Sequence, residues 1–180
     1  MHWKLSVIVL TLAGFIGCSS KAPDVASQLR TSLDQAGLKD VSVSQNRDKG
    51  VITLGGHVTQ QPERDKAEQI AKSMAGGQVV ADEIAVLPAG NEGMAKDVNS
   101  DLDKGIEANL DAAFRQARMK GVSHSTKNGV VTLKGDLDTP ARRTEAERVA
   151  ANVPNVQQVV NQIDVKHRRA TTTDNADRSR

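Results

Sequence analysis

Aromatic residues and cysteine are scarce in this chain of 180 residues, which has no tyrosine, two phenylalanines, one tryptophan and one cysteine. Trp3 and Phe15 both precede Cys18, so Phe114 is the only aromatic residue after it. Nucleic-acid binding surfaces combine aromatic rings that stack on bases with clustered basic residues. A formal net charge of +2 and one aromatic side chain therefore argue against a nucleic-acid partner. A single cysteine also excludes an intramolecular disulfide, so packing alone must stabilise the fold.

Side chains that carry out catalysis are also sparse. After residue 17 the histidines are His57, His124 and His167, and the run Ser123-His124-Ser125 matches no nucleophile–base arrangement. No group of histidine, cysteine and carboxylate residues shows the spacing of metal ligands. The sequence therefore predicts no enzyme, no cofactor and no metal site. His124 is expected to be packed into a strand or to lie at a strand edge.

The first residues have the layout of a bacterial secretory signal. Lys4 precedes an apolar run over 5–16, which is followed by Gly17 and Cys18. The run is too short for a permanent membrane span, which needs about 20 apolar residues. Residues 15–18, Phe-Ile-Gly-Cys, resemble the lipobox of bacterial lipoproteins. The resemblance implies cleavage after residue 17 and acylation of Cys18. The alternative is an ordinary secretory signal that leaves a free thiol.

The sorting position after the cysteine is Ser19. In the rule known for enteric lipoproteins, aspartate at this position retains the protein at the inner membrane. The resemblance therefore implies an outer-membrane protein, anchored by lipid and facing the periplasm.

The remainder of the chain contains an internal repeat. The sequence from Lys49 to Gly56 matches that from Asn128 to Gly135, and the match continues without a gap at an offset of 79 residues. We predict a signal peptide over 1–17, copy one over 24–88, a polar linker over 89–99, copy two over 100–166 and a disordered tail over 167–180.

Each copy is predicted to be an α+β module with the order αββαβ. Apolar residues recur every three or four positions over 102–117 and over 67–74, which is the period of a helix. The pair Asn128-Gly129 is a strong hairpin signal, and Thr139 is expected to cap a helix. We expect a small mixed three-stranded sheet with two helices on one face, strands that end at Gly56 and Gly135, and a contact between the two copies.

One polar position interrupts the apolar face of the last strand in each copy. It is Asp82 in copy one and Asn161 in copy two. A bulge or a hydrogen bond to the backbone is the first interpretation, and a ligand contact is the alternative.

The repeat resembles the BON domain, which occurs in osmotically inducible periplasmic proteins and in outer-membrane lipoproteins. The resemblance rests on the Val-x-Thr-Leu strands, the glycines at 50, 56, 129 and 135, the Ala-Glu helices and the closing sequence over 159–165. Two such domains behind a lipobox are similar to the division- and stress-associated lipid-binding lipoproteins. That family implies a non-enzymatic role in envelope integrity, with anionic phospholipid bound by the second domain.

Charge distinguishes the two copies. Residues 24–88 hold seven basic and nine acidic residues, whereas residues 100–166 hold ten basic and nine acidic ones. The bases of copy two are concentrated near the end of its first helix, where an aromatic residue lies among them. The candidate lipid-binding residues are Phe114, Arg115, Arg118 and Lys120.

Two interpretations of this cluster remain open. In the first, the ring of Phe114 and the neighbouring bases insert into an anionic membrane surface. In the second, Phe114 completes the core, and Arg115 and Arg118 complement the negative end of a helix dipole. A second hypothesis for the whole protein is an interaction module that docks on an envelope protein complex or on peptidoglycan without lipid specificity.

Overall fold

A computed structural model describes residues 21–166 of the chain. Copy one contains α1 (Ala26–Gln35), β1 (Val41–Asn46), β2 (Val51–Val58), α2 (Gln61–Met74), β3 (Val79–Asp82) and β4 (Ala85–Val86). Copy two contains α3 (Glu92–Gln116), β5 (Val122–Lys127), β6 (Val130–Leu137), α4 (Pro140–Ala151), β7 (Gln158–Asn161) and β8 (Asp164–Val165). The αββαβ order is confirmed, with the last strand of each copy divided in two. The predicted signal peptide, Cys18 and the predicted tail lie outside the described residues.

The sheets of the two copies have the same topology. β2 pairs antiparallel with β1 and parallel with β3 and β4, while β6 pairs antiparallel with β5 and parallel with β7 and β8. The division of the last strand follows from the polar positions 82 and 161. A side-chain oxygen of Asp82 accepts from the N–H of Ile84, and that of Asn161 accepts from the N–H of Ile163, both at 3.2 Å. The expected hydrogen bond to the backbone is confirmed at both positions.

Both copies bury their apolar residues between the sheet and the two helices. In copy one, Leu29 and Leu33 of α1 pack with Ile52 and Leu54 of β2, and all four have no exposed surface. Small residues face the sheet from the second helix, which allows a close approach. These are Ala67 and Ala71 in α2, and Ala146 and Ala150 in α4. Thr139 caps α4 as predicted, because its hydroxyl accepts from the N–H of Arg142 at 3.3 Å.

Strands β2 and β6 continue two residues past the glycines that were predicted to end them, to Val58 and Leu137. Gly56 and Gly135 instead allow a close backbone approach. A Cβ atom at either position would lie 2.0 Å from a carbonyl oxygen, that of Asp40 or of Gly121 respectively. The strand therefore needs glycine in its interior rather than at its end.

The hairpin turns differ in length and change the correspondence between the copies. The first turn has four residues, 47–50, and the second has two, 128–129. Before the turn, equivalent residues are therefore separated by 81 positions. Val43 and His124 are equivalent because each pairs with a leucine at the same place in the following strand.

Helix α3 begins at Glu92, inside the predicted polar linker over 89–99. The prediction used apolar periodicity, and the first turns of α3 extend beyond the core that produces this pattern. Met94, Val98 and Leu102 are 70%, 60% and 39% exposed along this projecting part. Only residues 87–91 separate β4 from the helix.

The two copies contact each other through the sheet faces that the helices leave uncovered. Val51 and Ala81 of copy one form a buried cluster with Val130 and Val160 of copy two. The two valines 51 and 130 are equivalent at the offset of 79, and so are residues 81 and 160. An interface between equivalent surfaces indicates an approximate twofold relation. The expected contact between the copies is confirmed.

Polar contacts show that the two sheets run in opposite directions. Lys49, just before β2, forms an ion pair with Asp164 in β8. At the other end of the interface the side chain of Asn128 donates to the backbone oxygen of Glu83 at 2.8 Å. The start of β2 therefore lies beside the end of the last strand of copy two, and the end of β3 lies beside the β5–β6 turn.

Candidate functional site

A groove of about 350 Å³ lies at the C-terminal end of α3, beside the start of β5. The structure brings all four candidate residues together here. The groove is lined by Asp111, Phe114, Arg115, Arg118, Met119, Lys120, Val122 and His124. We call it the α3–β5 groove.

Phe114 forms the apolar floor of the groove and is only 5% exposed. Its equivalent in copy one is Leu33, because the N–H of Met119 bonds to the carbonyl of Phe114 as that of Leu38 does to Leu33, both at 2.9 Å. Phe114 belongs to the core of copy two, so little of its ring is available for insertion into a membrane. The interpretation that Phe114 completes the core is confirmed.

His124 packs against this floor. Its ring centroid is 5.6 Å from that of Phe114, and the two ring planes are inclined by 34°. The imidazole Nε2 is 3.1 Å from a carboxylate oxygen of Asp111. The side chain is 12% exposed, so His124 is packed into the strand as predicted. This contact engages the one acidic side chain of the groove lining.

Three cationic side chains surround the floor and are exposed to solvent, those of Arg115, Arg118 and Lys120. None of them forms an ion pair with another residue of 21–166. Arg115 donates from Nε to the carbonyl of Asp111 at 3.0 Å, which leaves its terminal nitrogens available. The groove therefore presents unpaired positive charge above an apolar base, an arrangement that suits an anionic ligand with an apolar part.

Arg118 has a left-handed backbone conformation, with φ of 51°. It follows the end of α3, where it takes part in the hydrogen-bond pattern of a Schellman motif. The equivalent residue in copy one is Gly37, with φ of 84°. A residue with a Cβ atom costs about 1 kcal/mol in this conformation, and glycine does not. Backbone strain of this kind concentrates at functional sites.

A neighbouring arginine supports this end of the helix. Arg142 of α4 donates from Nη2 to the carbonyl of Arg118 at 3.1 Å and lies 3.7 Å from the sulfur of Met119. This contact joins α4 to the loop that carries Arg118 and Lys120. It also adds a fourth cationic group beside the groove.

The corresponding region of copy one has a different charge pattern. At the offset of 81, Arg115 and Arg118 correspond to Asp34 and Gly37, while Lys120 corresponds to Lys39. Asp111 corresponds to Arg30, which donates to the carbonyl of Val43 at 2.6 Å. The combination of an apolar floor and unpaired bases is therefore a property of copy two.

Sequence reasoning found the four candidate residues but did not assign Asp111, Met119, Val122 or His124 to the site. It singled out Arg142 only as one of two adjacent bases at the start of α4. The periodicity of α3 gave no signal for these residues, because they come from the exposed helix face, the following loop and other elements. Alignment of the copies with the two-residue shift would have paired Arg118 with Gly37. A glycine replaced by arginine is a signal that sequence alone contains.

Over 21–166 no three histidine, cysteine or carboxylate side chains lie close enough to hold a metal ion. No helix within the same range has the length and apolar character that a membrane span requires.

The pattern of two αββαβ modules, each closed by a divided parallel strand, defines a class of protein. The sequence profile of the BON domain matches residues 22–88 and 101–167. This chain belongs to the BON-domain family, as the resemblance of its repeat indicated. The two matched segments correspond to the two copies.

A curated protein also aligns with most of this chain. The chain is 30% identical over 145 residues to the osmotically-inducible protein Y of Escherichia coli K12. The aligned region covers 79% of this chain and 71% of that protein. The alignment thus extends over most of both chains.

Two solved structures, both of CdsD, a structural protein of the type III secretion system of Chlamydia trachomatis, were also matched. The C-terminal domain of CdsD is 11% identical with a TM-score of 0.33, and the match covers 79% of this chain and 65% of that one. A second CdsD structure is 12% identical with a TM-score of 0.37, covering 80% of this chain and 93% of the other.

Proposed function

We propose that this protein is a non-enzymatic outer-membrane lipoprotein that binds anionic phospholipid through the α3–β5 groove and supports envelope integrity under stress. The observation that carries the proposal is the strained Arg118. Its side chain extends the unpaired cationic rim of Arg115 and Lys120 at a backbone position where copy one has Gly37. Acylation of Cys18 would hold the groove at the periplasmic surface of the outer membrane.

The chemistry of the groove fits a phospholipid headgroup. The guanidinium groups and the ammonium of Lys120 can each donate to phosphate oxygens, and arginine does so in a bidentate manner. The buried ring of Phe114 and the side chains of Met119 and Val122 offer apolar contact beneath the headgroup. A phospholipid has both kinds of group.

The expected affinity is low without the anchor. Each base near an anionic membrane surface contributes about 1 kcal/mol. Three such bases contribute about 3 kcal/mol. A dissociation constant of about 1 mM requires a binding free energy of about 4.1 kcal/mol, so the bases alone give binding weaker than about 1 mM. An acylated Cys18 would convert this weak interaction into an intramolecular one at high effective concentration. The anchor and the groove would therefore act together.

Vesicle flotation tests the proposal. The soluble chain lacking residues 1–18 is mixed with phosphatidylglycerol vesicles or with phosphatidylcholine vesicles and centrifuged through a density gradient. Because the groove alone binds weakly, the experiment uses low ionic strength, which limits screening of the bases, and keeps lipid in excess over the expected dissociation constant throughout the gradient. We expect it to float with the phosphatidylglycerol vesicles alone. Absence from both lipid fractions would contradict the proposal, and so would equal flotation with both.

The repeat supplies a matched control for the site. Lys120 and Lys39 are equivalent exposed lysines of the two copies. We expect Lys120→Glu to abolish flotation with phosphatidylglycerol and Lys39→Glu to leave it unchanged. Equal effects of the two reversals would indicate binding through overall charge rather than through the groove. Incorporation of radiolabelled palmitate into the full chain, and its loss in Cys18→Ser, tests the anchor separately.

A specific observation also favours the alternative of an interaction module. Met94, Val98 and Leu102 are spaced four residues apart, so they form an exposed apolar stripe on the projecting turns of α3. Such a stripe suits docking on an envelope protein complex. This candidate predicts that Val98→Asp disrupts envelope function in cells, while flotation with phosphatidylglycerol is unchanged.

A further inference from the structure

The residues that lead into the folded domains are fastened to copy one. The N–H of Ala22 donates to the carbonyl of Arg47 at 3.0 Å, and Nε of Arg47 donates to the carbonyl of Ala22 at 2.7 Å. Lys21 forms an ion pair with Asp48 at 3.2 Å. These contacts hold the start of the described chain along the β1–β2 turn.

Glutamine side chains fasten the next residues. The amide of Gln45 donates to the carbonyl of Pro23 at 2.7 Å and accepts from the N–H of Val25 at 3.2 Å. Gln78 donates to the same carbonyl of Pro23 at 3.2 Å. Residues 21–25 are thus held by backbone, side-chain and ionic contacts, and we call them the anchor arm.

The anchor arm and the α3–β5 groove lie at the same end of the molecule. Lys49, in the turn to which the arm is fastened, pairs with Asp164, and β8 pairs with the end of β6. The start of β5 pairs with this same end of β6, at Val122 and Gly135. The groove is built around the start of β5, so it lies towards the arm.

The opposite end of the molecule contains the start of α3. The carboxylate of Asp103 accepts from the N–H groups of Asn128 and Gly129 at 2.7 and 2.9 Å, which places this part of α3 at the β5–β6 turn. Helix α3 therefore runs from that far end to the end that carries the arm. Its exposed first turns point away from the groove.

The link between anchor and arm is short. Only Ser19 and Ser20 separate Cys18 from Lys21. Three residue steps span at most about 11 Å even when fully extended. This is comparable to the Debye length of about 8 Å at physiological salt, over which an anionic surface attracts bases.

We propose that the fastened anchor arm orients the protein so that the α3–β5 groove faces the same membrane that carries the lipid on Cys18. This inference rests on the proposed function, because it requires both the acylated cysteine and a groove that binds anionic lipid. The partner is then the membrane of the anchor itself. The groove is held away from any opposing membrane, and the projecting turns of α3 extend into the space on the far side.

Vesicle bridging tests this orientation. The acylated full chain is anchored in phosphatidylcholine vesicles, and phosphatidylglycerol vesicles are then added while clustering is followed by light scattering. We expect no clustering by the native chain. A flexible Gly/Ser insertion of about 40 residues between Ser20 and Lys21, with a reach of about 35 Å, should release the groove and cause clustering. The additional change Lys120→Glu should abolish that clustering.

A label experiment measures the orientation directly. Acylation of Cys18 consumes the only natural thiol, so a cysteine introduced by Asp138→Cys or Asn91→Cys can be labelled alone. Asp138 follows the end of β6, and Asn91 precedes α3 at the far end. In phosphatidylglycerol vesicles that contain a headgroup quencher, we expect the label at 138 to be quenched and the label at 91 to be protected.

Failure of this inference and failure of the proposed function give different results. Clustering by the native chain would overturn the inference, as would equal quenching at the two labels. A lack of clustering by the inserted chain would also overturn it, provided that the soluble chain still floats with phosphatidylglycerol. If the soluble chain does not float, or if Cys18 is not acylated, the proposed function fails first and the inference fails with it.

Discussion

Arg118 occupies in copy two the left-handed backbone position that Gly37 occupies in copy one. The two residues end equivalent helices, and the following N–H groups bond to equivalent carbonyl groups at 2.9 Å. The two copies therefore have the same backbone conformation at this position but different side chains. The cationic side chain at this position carries a conformational cost that glycine would avoid, which indicates that copy two has a role of its own.

The exchange of these two residues separates stability from binding. We expect Arg118→Gly to raise the free energy of unfolding by about 1 kcal/mol, because glycine adopts positive φ without a steric cost. Urea denaturation of the soluble chain measures this change. The same variant should bind phosphatidylglycerol vesicles more weakly, since one cation is lost.

Gly37→Arg is the reciprocal control and should lower the free energy of unfolding by a similar amount, about 1 kcal/mol. A Cβ at position 37 would meet no other residue within 4 Å, so the cost there comes from the positive φ itself and not from a clash with the surrounding structure. If Arg118→Gly destabilises the protein, the side chain makes stabilising contacts that outweigh the strain, and the argument from strain is wrong.

Phe114 should behave as a core residue. We expect Phe114→Ala to lower the free energy of unfolding by about 3–5 kcal/mol, because it leaves a cavity beneath the groove. Phe114→Leu restores the residue found at the equivalent Leu33 and should cost much less. Thermal unfolding followed by circular dichroism compares the two variants. A small effect of the alanine substitution would show that the ring is not an essential part of the core.

Glu83 gives the interface between the copies a dependence on pH. Burial raises the pKa of this carboxyl above its ordinary value of 4.5, although Lys127, at 3.7 Å, opposes the shift. A raised pKa in the folded state means that the folded protein binds more protons than the unfolded chain just above pH 4.5. Stability contributed by the protonated form should therefore be lost as pH rises through the raised pKa.

Glu83→Gln should flatten this part of the stability profile, as measured by urea denaturation at a series of pH values. Hydrogen bonds from Thr59 lower the pKa of Glu63, so that group acts in the separate window below 4.5, where stability falls as pH falls. Glu63→Gln is therefore a control that should change the acidic limb alone. An unchanged profile above 4.5 in Glu83→Gln would contradict the assignment.

Much of the fold could be predicted because its signals are local. The alternation Val41-Ser42-Val43-Ser44 matches β1, and Thr139-Pro140 matches the start of α4. These patterns depend on neighbouring residues and elementary stereochemistry.

The groove could be predicted only in part because its geometry depends on tertiary structure. At 100° per residue Phe114 lies at the margin of the apolar stripe, so helical periodicity alone did not decide its burial. The left-handed conformation of Arg118 has no local signal, since arginine is a good helix former. The turns of unequal length also hid its relation to Gly37. Likewise, the start of α3 at Glu92 was not predicted, because its first turns make few contacts with the core and therefore lack the apolar periodicity of a packed helix.

Gln158 provides the last test, at the interface between the copies. Its side-chain amide donates to the carbonyl of Val80 at 2.7 Å and accepts from the N–H of Asp82 at 3.2 Å. It thus completes the hydrogen bonding of edge strand β3 in the way that another strand would. The equivalent residue in copy one is Val79, which is 47% exposed and has no amide to offer in return. The interface is therefore asymmetric in its polar contacts.

Gln158→Val places the residue of copy one in copy two and leaves two backbone groups of β3 without this partner. We expect a loss of about 1–3 kcal/mol in the free energy of unfolding, because unpaired backbone groups in a partly buried edge are costly. Hydrogen exchange should accelerate at the N–H of Asp82, whereas the N–H of Ile84, which bonds to the side chain of Asp82, should change less. The reciprocal Val79→Gln tests whether a second amide can bond across the interface. Unaltered exchange at Asp82 in Gln158→Val would show that this N–H does not depend on the glutamine, and the packing of Val51, Ala81, Val130 and Val160 would then hold the copies together without it.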